Sequence, residues 1–167
     1  MGIKLIIAGY GESGKDTVAQ WFKENTVLRY TKSTSLAAAE LVYREWGYQF
    51  YKNVEDCWLD RRCNRQRWQD LILDYNQKTG GLGIYKDLAV DHDIFNGIRT
   101  IEDFSVLYEN HLVNLSLWIE RESVPKSDPM SLTSRDCDFT IKNDDSLGCL
   151  FKKLRRLAEA FKILRVN

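Results

Sequence analysis

The sequence predicts an α/β fold in three layers, with a mainly parallel sheet of about five strands flanked by helices. Three observations predict it. The run Ile3 to Ala8 is almost wholly apolar and breaks into a glycine-rich turn that leads into a helix-forming stretch. Short segments rich in β-branched and aromatic residues then alternate with longer segments of helical periodicity, and the chain closes on a stretch with its apolar residues on one helical face. Strands separated by helices lie parallel and connect through right-handed crossovers.

Taken in order, Ile3 to Ala8 is a central, buried strand. Gly9, Gly11 and Gly14 let the following turn curl, and Thr17-Val18-Ala19-Gln20-Trp21-Phe22 reads as a helix. Val27-Leu28-Arg29-Tyr30-Thr31 predicts a short second strand. Ser33-Thr34-Ser35 offers a cap for a helix over residues 36–46, which Gly47 ends. A long helical stretch is predicted over 54–78, stopped by Gly80-Gly81, with a shorter helix over 84–90. Residues 93–99 form a third strand; Thr100 and Asp103 then open a helix in the manner of a capping box, which ends near Asn110. Residues 114–120 and 139–142 give the fourth and fifth strands. The last helix, over 147–164, carries Leu147, Leu150, Phe151, Leu154, Leu157, Phe161 and Leu164 on one face.

A chain of 167 residues with two prolines and no repeat reads as a single domain, large enough for a proper core, with a helical insertion over about 36–90 and a polar, lid-like loop over about 121–136. Its 24 basic and 24 acidic side chains cancel, so no global field draws nucleic acid and any such contact must be local. Cys57, Cys63, Cys137 and Cys149 lack metal-site spacing and are expected to be reduced thiols in a cytoplasm. The apolar N-terminal run is too short for a leader or a membrane span, so no membrane partner is expected.

The turn Gly9-Tyr10-Gly11-Glu12-Ser13-Gly14-Lys15 fits the pattern G-x-x-x-x-G-K of a phosphate-binding P-loop. Its backbone N–H groups can converge on an anion, Lys15 supplies a mobile charge for β- and γ-phosphates, and the next helix adds its positive end. Residues Gly9 to Thr17 are therefore the candidate nucleotide site, ATP the expected donor and magnesium its expected metal. The competing account is a strand-turn-helix that merely needs glycines. Asp16 stands where a metal-binding hydroxyl is usual, and Thr17 supplies that hydroxyl one place late. The third strand ends in Asn96-Gly97 rather than a carboxylate, the next acid is Glu102, and Asp93 lies at the strand's start. The acidic group is thus expected on the loop: Asp16 either organises magnesium or accepts the acceptor's proton, and Asp16 and Thr17 are the candidate metal ligands.

The Gly-Lys-Asp-Thr loop, the segment His92-Asp93-Ile94-Phe95-Asn96-Gly97-Ile98-Arg99 and the tail Cys137 to Leu147 resemble the phage nucleotide-kinase group of P-loop proteins. The middle segments, Ser33-Thr34-Ser35 and Arg61 to Trp68 among them, look most like the 5-hydroxymethyluracil DNA kinases of hypermodified bacteriophages. The resemblance implies a P-loop NTPase/nucleotide-kinase fold and, for a phage-encoded protein, a place in the host cytoplasm. It implies transfer of the γ-phosphate of ATP to the hydroxymethyl group of 5-hydroxymethyl-deoxyuridine in DNA, with a free deoxynucleoside monophosphate as the alternative acceptor. It places Ser33, Thr34, Ser35 and Asn96 on the acceptor side and Asn143 near the donor's adenine. A non-catalytic nucleotide-binding protein is the third reading, supported by the missing strand-end carboxylate.

Phosphoryl transfer needs cations around the loop mouth, which in a parallel sheet lies at the carboxyl ends of the strands. Arg99 stands at the end of the third strand and Arg121 directly follows the fourth, so both are candidates for the transferred phosphate; surface salt bridges are the alternative. Arg61, Arg62 and Arg65 sit in a predicted helix, where Arg61 and Arg65 share a face as i and i+4 and form a candidate acceptor clamp. Pairing with Glu55, Asp56, Asp60 and Asp70 is the other account. Trp58 and Trp68 read as core or as stacking platforms, and His92 and His111 as structural. Arg121, Lys126 and Arg135, with Pro125 and Pro129, mark the lid-like loop, for which a plain surface loop is the alternative.

Overall fold

Leu5–Ala8 are all fully buried and form β1, the inner strand of a sheet in a computed structural model that describes residues 2–126 and 130–166. Its neighbours are β2 (Ile94–Asn96) on one side and β3 (Leu115–Glu120) on the other, with β4 (Phe139–Lys142) beyond β3 at the edge. Every pairing is parallel, with Ile7 opposite Asn96 and Leu117, and Ile119 opposite Ile141. The helices are α1 (Lys15–Asn25), α2 (Thr34–Glu45), α3 (Val54–Leu59), α4 (Arg65–Lys78), α5 (Gly83–Ala89), α6 (Ile101–Glu109) and α7 (Leu147–Ala160). The fold is α/β, a parallel four-stranded sheet flanked by helices.

The chain forms two compact units. One takes the residues up to Thr31 and those from Asp91 onward; the other is Lys32–Val90. In the first, alternation along the strands sorts the core. Leu5, Ile7, Ile94, Leu115, Leu117, Ile119 and Ile141 share one cluster with Val18, Ala19, Trp21 and Phe22 of α1 and Leu150, Leu154 and Ala158 of α7. Ser116 points to the other face, where its hydroxyl accepts a bond from Tyr108 of α6 at 3.0 Å. Helices therefore cover both faces, as three layers require.

The sheet has four strands rather than five, because Val27–Thr31 does not enter it. The carbonyl of Arg29 accepts from Asp93 N–H at 2.8 Å, but the N–H of Arg29 is taken by the Asp93 carboxylate at 2.9 Å and that of Thr31 by His92 Nε2 at 3.3 Å. Side chains thus occupy the donors that a ladder would use. The final helix also stops earlier than the apolar pattern suggests: Lys162 adopts φ 55° and the N–H of Ile163 closes on Ala158.

In the second unit α2 packs on α3, α4 and α5. Ala37, Ala38, Ala39, Leu41, Val42, Cys57, Trp68, Ile84 and Leu88 are buried, which places Trp68 in the core and not on a stacking surface. The helix predicted over 54–78 is broken: α3 ends at Leu59, a single 3₁₀ turn covers Asp60–Arg62, and α4 begins at Arg65. Asp60 causes the break. Its carboxylate accepts from Tyr51 at 2.6 Å and from Asn64 Nδ2 at 3.0 Å, which ties down the joint. Among the described residues no helix is long and apolar enough to cross a membrane.

Candidate functional site

The turn after β1 curls through residues of positive φ and packs closely against the neighbouring strand β3. Gly9 has φ 143°, and a β-carbon there would strike the carbonyl oxygen of Ile119 and lie 2.8 Å from Ser13 Oγ. Glu12 is left-handed at φ 62° without being glycine. Gly14, at φ 99°, starts α1 with no side-chain cap. The Lys15 ammonium donates to the carbonyl of Tyr10 at 2.6 Å, which arches the lysine back over the loop. The Tyr10 ring meets the buried Trp118 ring of β3 edge to face at 5.5 Å and anchors the tip. Ser13 is 1% exposed, and its hydroxyl has no hydrogen-bond partner among the described residues.

Asp16 and Thr17 are exposed on the first turn of α1. Asn96, the last residue of β2, shares a sheet face with Ile7 and so projects toward α1; it is 2% exposed. Its Nδ2 donates to Asp16 Oδ1 at 2.7 Å and lies 3.4 Å from the Tyr30 hydroxyl oxygen. Burial pushes the Tyr30 phenol above its ordinary range, the Asn96 bond pulls it back, and the negative charge of Asp16 adds to the rise. Sequence reasoning missed Tyr30 because it lies in a segment read as a strand. Its contact with Asn96, far along the chain, is what marks it, and no local pattern reports that contact. Asn96, expected on the acceptor side, is engaged with Asp16.

The ends of β3 and β4 close the other flank. Asn143 follows β4: its N–H donates to the Glu120 carbonyl at 2.8 Å, and its side-chain amide donates to the Ser13 carbonyl at 2.8 Å. A β-carbon on Gly14 would come within 2.5 Å of that same amide nitrogen. Asn143, expected beside an adenine, thus braces the loop backbone. Asp144 accepts from the N–H of Glu122 at 2.7 Å, tethering the start of the 121–136 segment. At its far end Leu132 is fully buried and donates its N–H to the Arg99 carbonyl at 3.2 Å. Pro129 lies outside the described residues. Arg99 and Arg121 are exposed at the carboxyl ends of β2 and β3, as their positions predict.

The remaining candidates belong to the Lys32–Val90 unit. Ser33 caps α2 by accepting from the N–H of Leu36 at 3.2 Å, and its hydroxyl pairs with that of Ser35 at 2.9 Å, so two of the three hydroxyls are engaged locally; Thr34 opens the helix. The break before Arg65 removes the i, i+4 relation between Arg61 and Arg65. Arg61 instead stacks over the Trp58 ring at 4.2 Å and donates to the Trp58 carbonyl at 2.9 Å, while Arg62 and Arg65 are exposed. Of the acids expected to pair with them, Asp60 accepts from Tyr51 and Asn64, and Asp70 from Gln66.

His92 is fully buried, with Nδ1 2.6 Å from Asp91 and Nε2 accepting from Thr31, the bonding of a structural imidazole. Among the described residues no three His, Cys, Asp or Glu side chains gather into a metal cage. Magnesium bound with a nucleotide asks for less, since it takes one or two carboxylates alongside phosphates and keeps several waters. The Asp16 carboxylate and the Thr17 hydroxyl suit that donor set. No protein-family model matches the chain, and no curated protein matches it.

Proposed function

We propose that the chain is a P-loop phosphotransferase that moves the γ-phosphoryl group of ATP to the hydroxymethyl oxygen of 5-hydroxymethyl-deoxyuridine in DNA. One observation carries the proposal: the Gly9–Lys15 turn, left-handed at Gly9, Glu12 and Gly14, runs without a side-chain cap into α1 and carries Lys15 arched over its mouth. Such a turn suits the oligophosphate of a nucleotide, and a parallel sheet flanked by helices is the architecture in which it is usually found.

Within this proposal the acceptor's oxygen attacks the γ-phosphorus as the bond from that phosphorus to the β–γ bridging oxygen breaks, and ADP leaves with the electron pair. The hydroxyl proton passes to a carboxylate. Asp16, whose Oδ1 accepts from Asn96, is the candidate for that carboxylate in the reading in which it does not itself hold magnesium. In the other reading Asp16 and Thr17 would hold magnesium, which would supply charge neutralisation on the phosphates. Lys15 neutralises the β- and γ-oxygens, and Arg99 and Arg121, exposed beyond β2 and β3, are the proposed cations for charge on the moving group.

A free deoxynucleoside monophosphate is the second acceptor to consider, and the balance of 24 basic against 24 acidic side chains favours it, because no overall field gathers DNA. Labelled ATP offered with hydroxymethyluracil DNA, thymine DNA and each monophosphate decides between them. Label only in the modified DNA supports the proposal, label in a monophosphate supports the second acceptor, and label in none leaves a nucleotide-binding protein without transfer.

A further inference from the structure

We infer that Asn96 and Tyr30 are positioning residues for Asp16, an amide and a phenol that fix the loop carboxylate in one orientation at the phosphate-binding mouth. Their role so stated rests on the phosphotransferase proposal above.

Asn96 is 2% exposed at the end of a strand whose other residues, Ile94 and Phe95, are apolar and buried. An asparagine there is unfavourable unless its polar atoms are used. The structure shows the use of its donor: Nδ2 reaches Asp16 Oδ1 at 2.7 Å, with Tyr30 Oη at 3.4 Å on the same nitrogen. Asp16 itself is exposed on the first turn of a helix, where a carboxylate left alone rotates freely. One donor on Oδ1 stops that rotation and presents Oδ2. Tyr30 in turn stands against the amide it contacts and limits its swing.

An amide suits position 96 for a second reason. A carboxylate in its place would stand within hydrogen-bonding distance of Asp16 as a like charge, so the pair tolerates one acid, not two. In the usual arrangement the loop residue after the lysine bears a hydroxyl and the strand end bears the acid. Here the acid is on the loop and its neutral partner on the strand. The two positions have exchanged roles, and their direct hydrogen bond makes the exchange testable, because the reverse pair, D16S with N96D, restores a hydroxyl on the loop and an acid on the strand.

The test is calorimetry of a non-hydrolysable ATP analogue, once with magnesium and once with EDTA, on wild type, D16S, D16S/N96D and Y30F. The quantity read is the ratio of the two dissociation constants. The expected result is that D16S lowers the ratio roughly tenfold, that D16S/N96D recovers most of the loss, and that Y30F lowers it roughly threefold. A ratio in D16S equal to wild type, or a D16S/N96D variant no better than D16S, overturns the inference while leaving the phosphotransferase proposal standing. Should D16S/N96D fail to show a cooperative melt, Y30F decides alone, and a ratio equal to wild type counts against the inference. A wild-type protein that gives no heat with the analogue in either buffer ends the phosphotransferase proposal and this inference together.

Discussion

Lys15 and Ser13 sit two residues apart in one loop and are bound for opposite outcomes. Lys15 reaches over the loop to the Tyr10 carbonyl and would trade that bond for phosphate. Lys15→Ala is expected to leave the thermal melt near that of wild type and to reduce phosphoryl transfer at least ~100-fold, the scale of a lost charge on the moving group; turnover within a few-fold of wild type would contradict the role. Ser13 is buried with an unpartnered hydroxyl, and an unsatisfied buried group is a cost and not a support. Ser13→Ala should therefore hold or raise stability, by up to about 1 kcal/mol in a denaturant titration. A fall of that size would show that the hydroxyl does something in the folded protein. At this scale the positive φ of Gly9 and Gly14 was legible in the sequence, since backbone freedom follows from residue type, but the third left-handed residue is Glu12 and not Gly11, which residue type does not report. The bond from Asn96 to Asp16 was not legible. It joins residues 80 positions apart, and no local pattern reports such a pairing.

Three separate stretches of chain meet at Asp93, which opens β2. Its carboxylate accepts from Lys4 before β1 at 2.7 Å and from Arg29 at 3.0 Å and, through the backbone, at 2.9 Å. Burial opposes its ionisation, but the bonds from Arg29 and Lys4 outweigh burial and hold its carboxyl well below the usual carboxylate range. The ionised group is favoured by folding, so its stabilisation is complete above the unfolded-state pKa of about 3.9 and drains away as pH falls through the lower folded-state value. Asp93→Asn is expected to destabilise at neutral pH by about 1–3 kcal/mol, with the gap to wild type narrowing below about pH 4. A gap that stays constant with pH would remove the carboxylate's charge from the account. The same residue explains why the extended segment 27–31 stands outside the sheet. Apolar alternation makes it look like a strand, but a carboxylate and an imidazole capture its donors, and hydropathy does not register that competition. The break at Asp60 escaped for a like reason: helical periodicity continues through 54–78, while the side-chain bonds that interrupt it are local chemistry invisible to periodicity.

For the whole molecule, charge cancellation means that any hold on a polyanion depends on a few cations. Of the three arginines of the candidate acceptor clamp, Arg62 and Arg65 are exposed, whereas Arg61 is committed to Trp58. Arg62→Ala with Arg65→Ala should raise the acceptor's KM several-fold with kcat nearly unchanged. For a DNA acceptor it should also flatten the dependence of affinity on salt by a slope of about two. An unaltered KM returns both arginines to ordinary surface charge. The sheet, its flanking helices and the amphipathic last helix were legible at this scale because hydrophobic periodicity governs them. The division into two units was half visible, as a helical insertion over about 36–90 set against the observed Lys32–Val90.

The exit and return of the chain around that insertion share one gateway. The Thr31 hydroxyl sits 2.9 Å from His92 Nε2, and Arg29 and Asp93 join backbone to backbone at 2.8 Å, so the two severed ends would already stand side by side. Closing such a gap costs little chain entropy. Splicing a short glycine-serine bridge in place of residues 32–90 should therefore leave a shortened protein that still melts cooperatively and still takes up ATP. The helical module then becomes an exchangeable cassette, free to diverge while the half that carries the glycine-rich loop stays as it is.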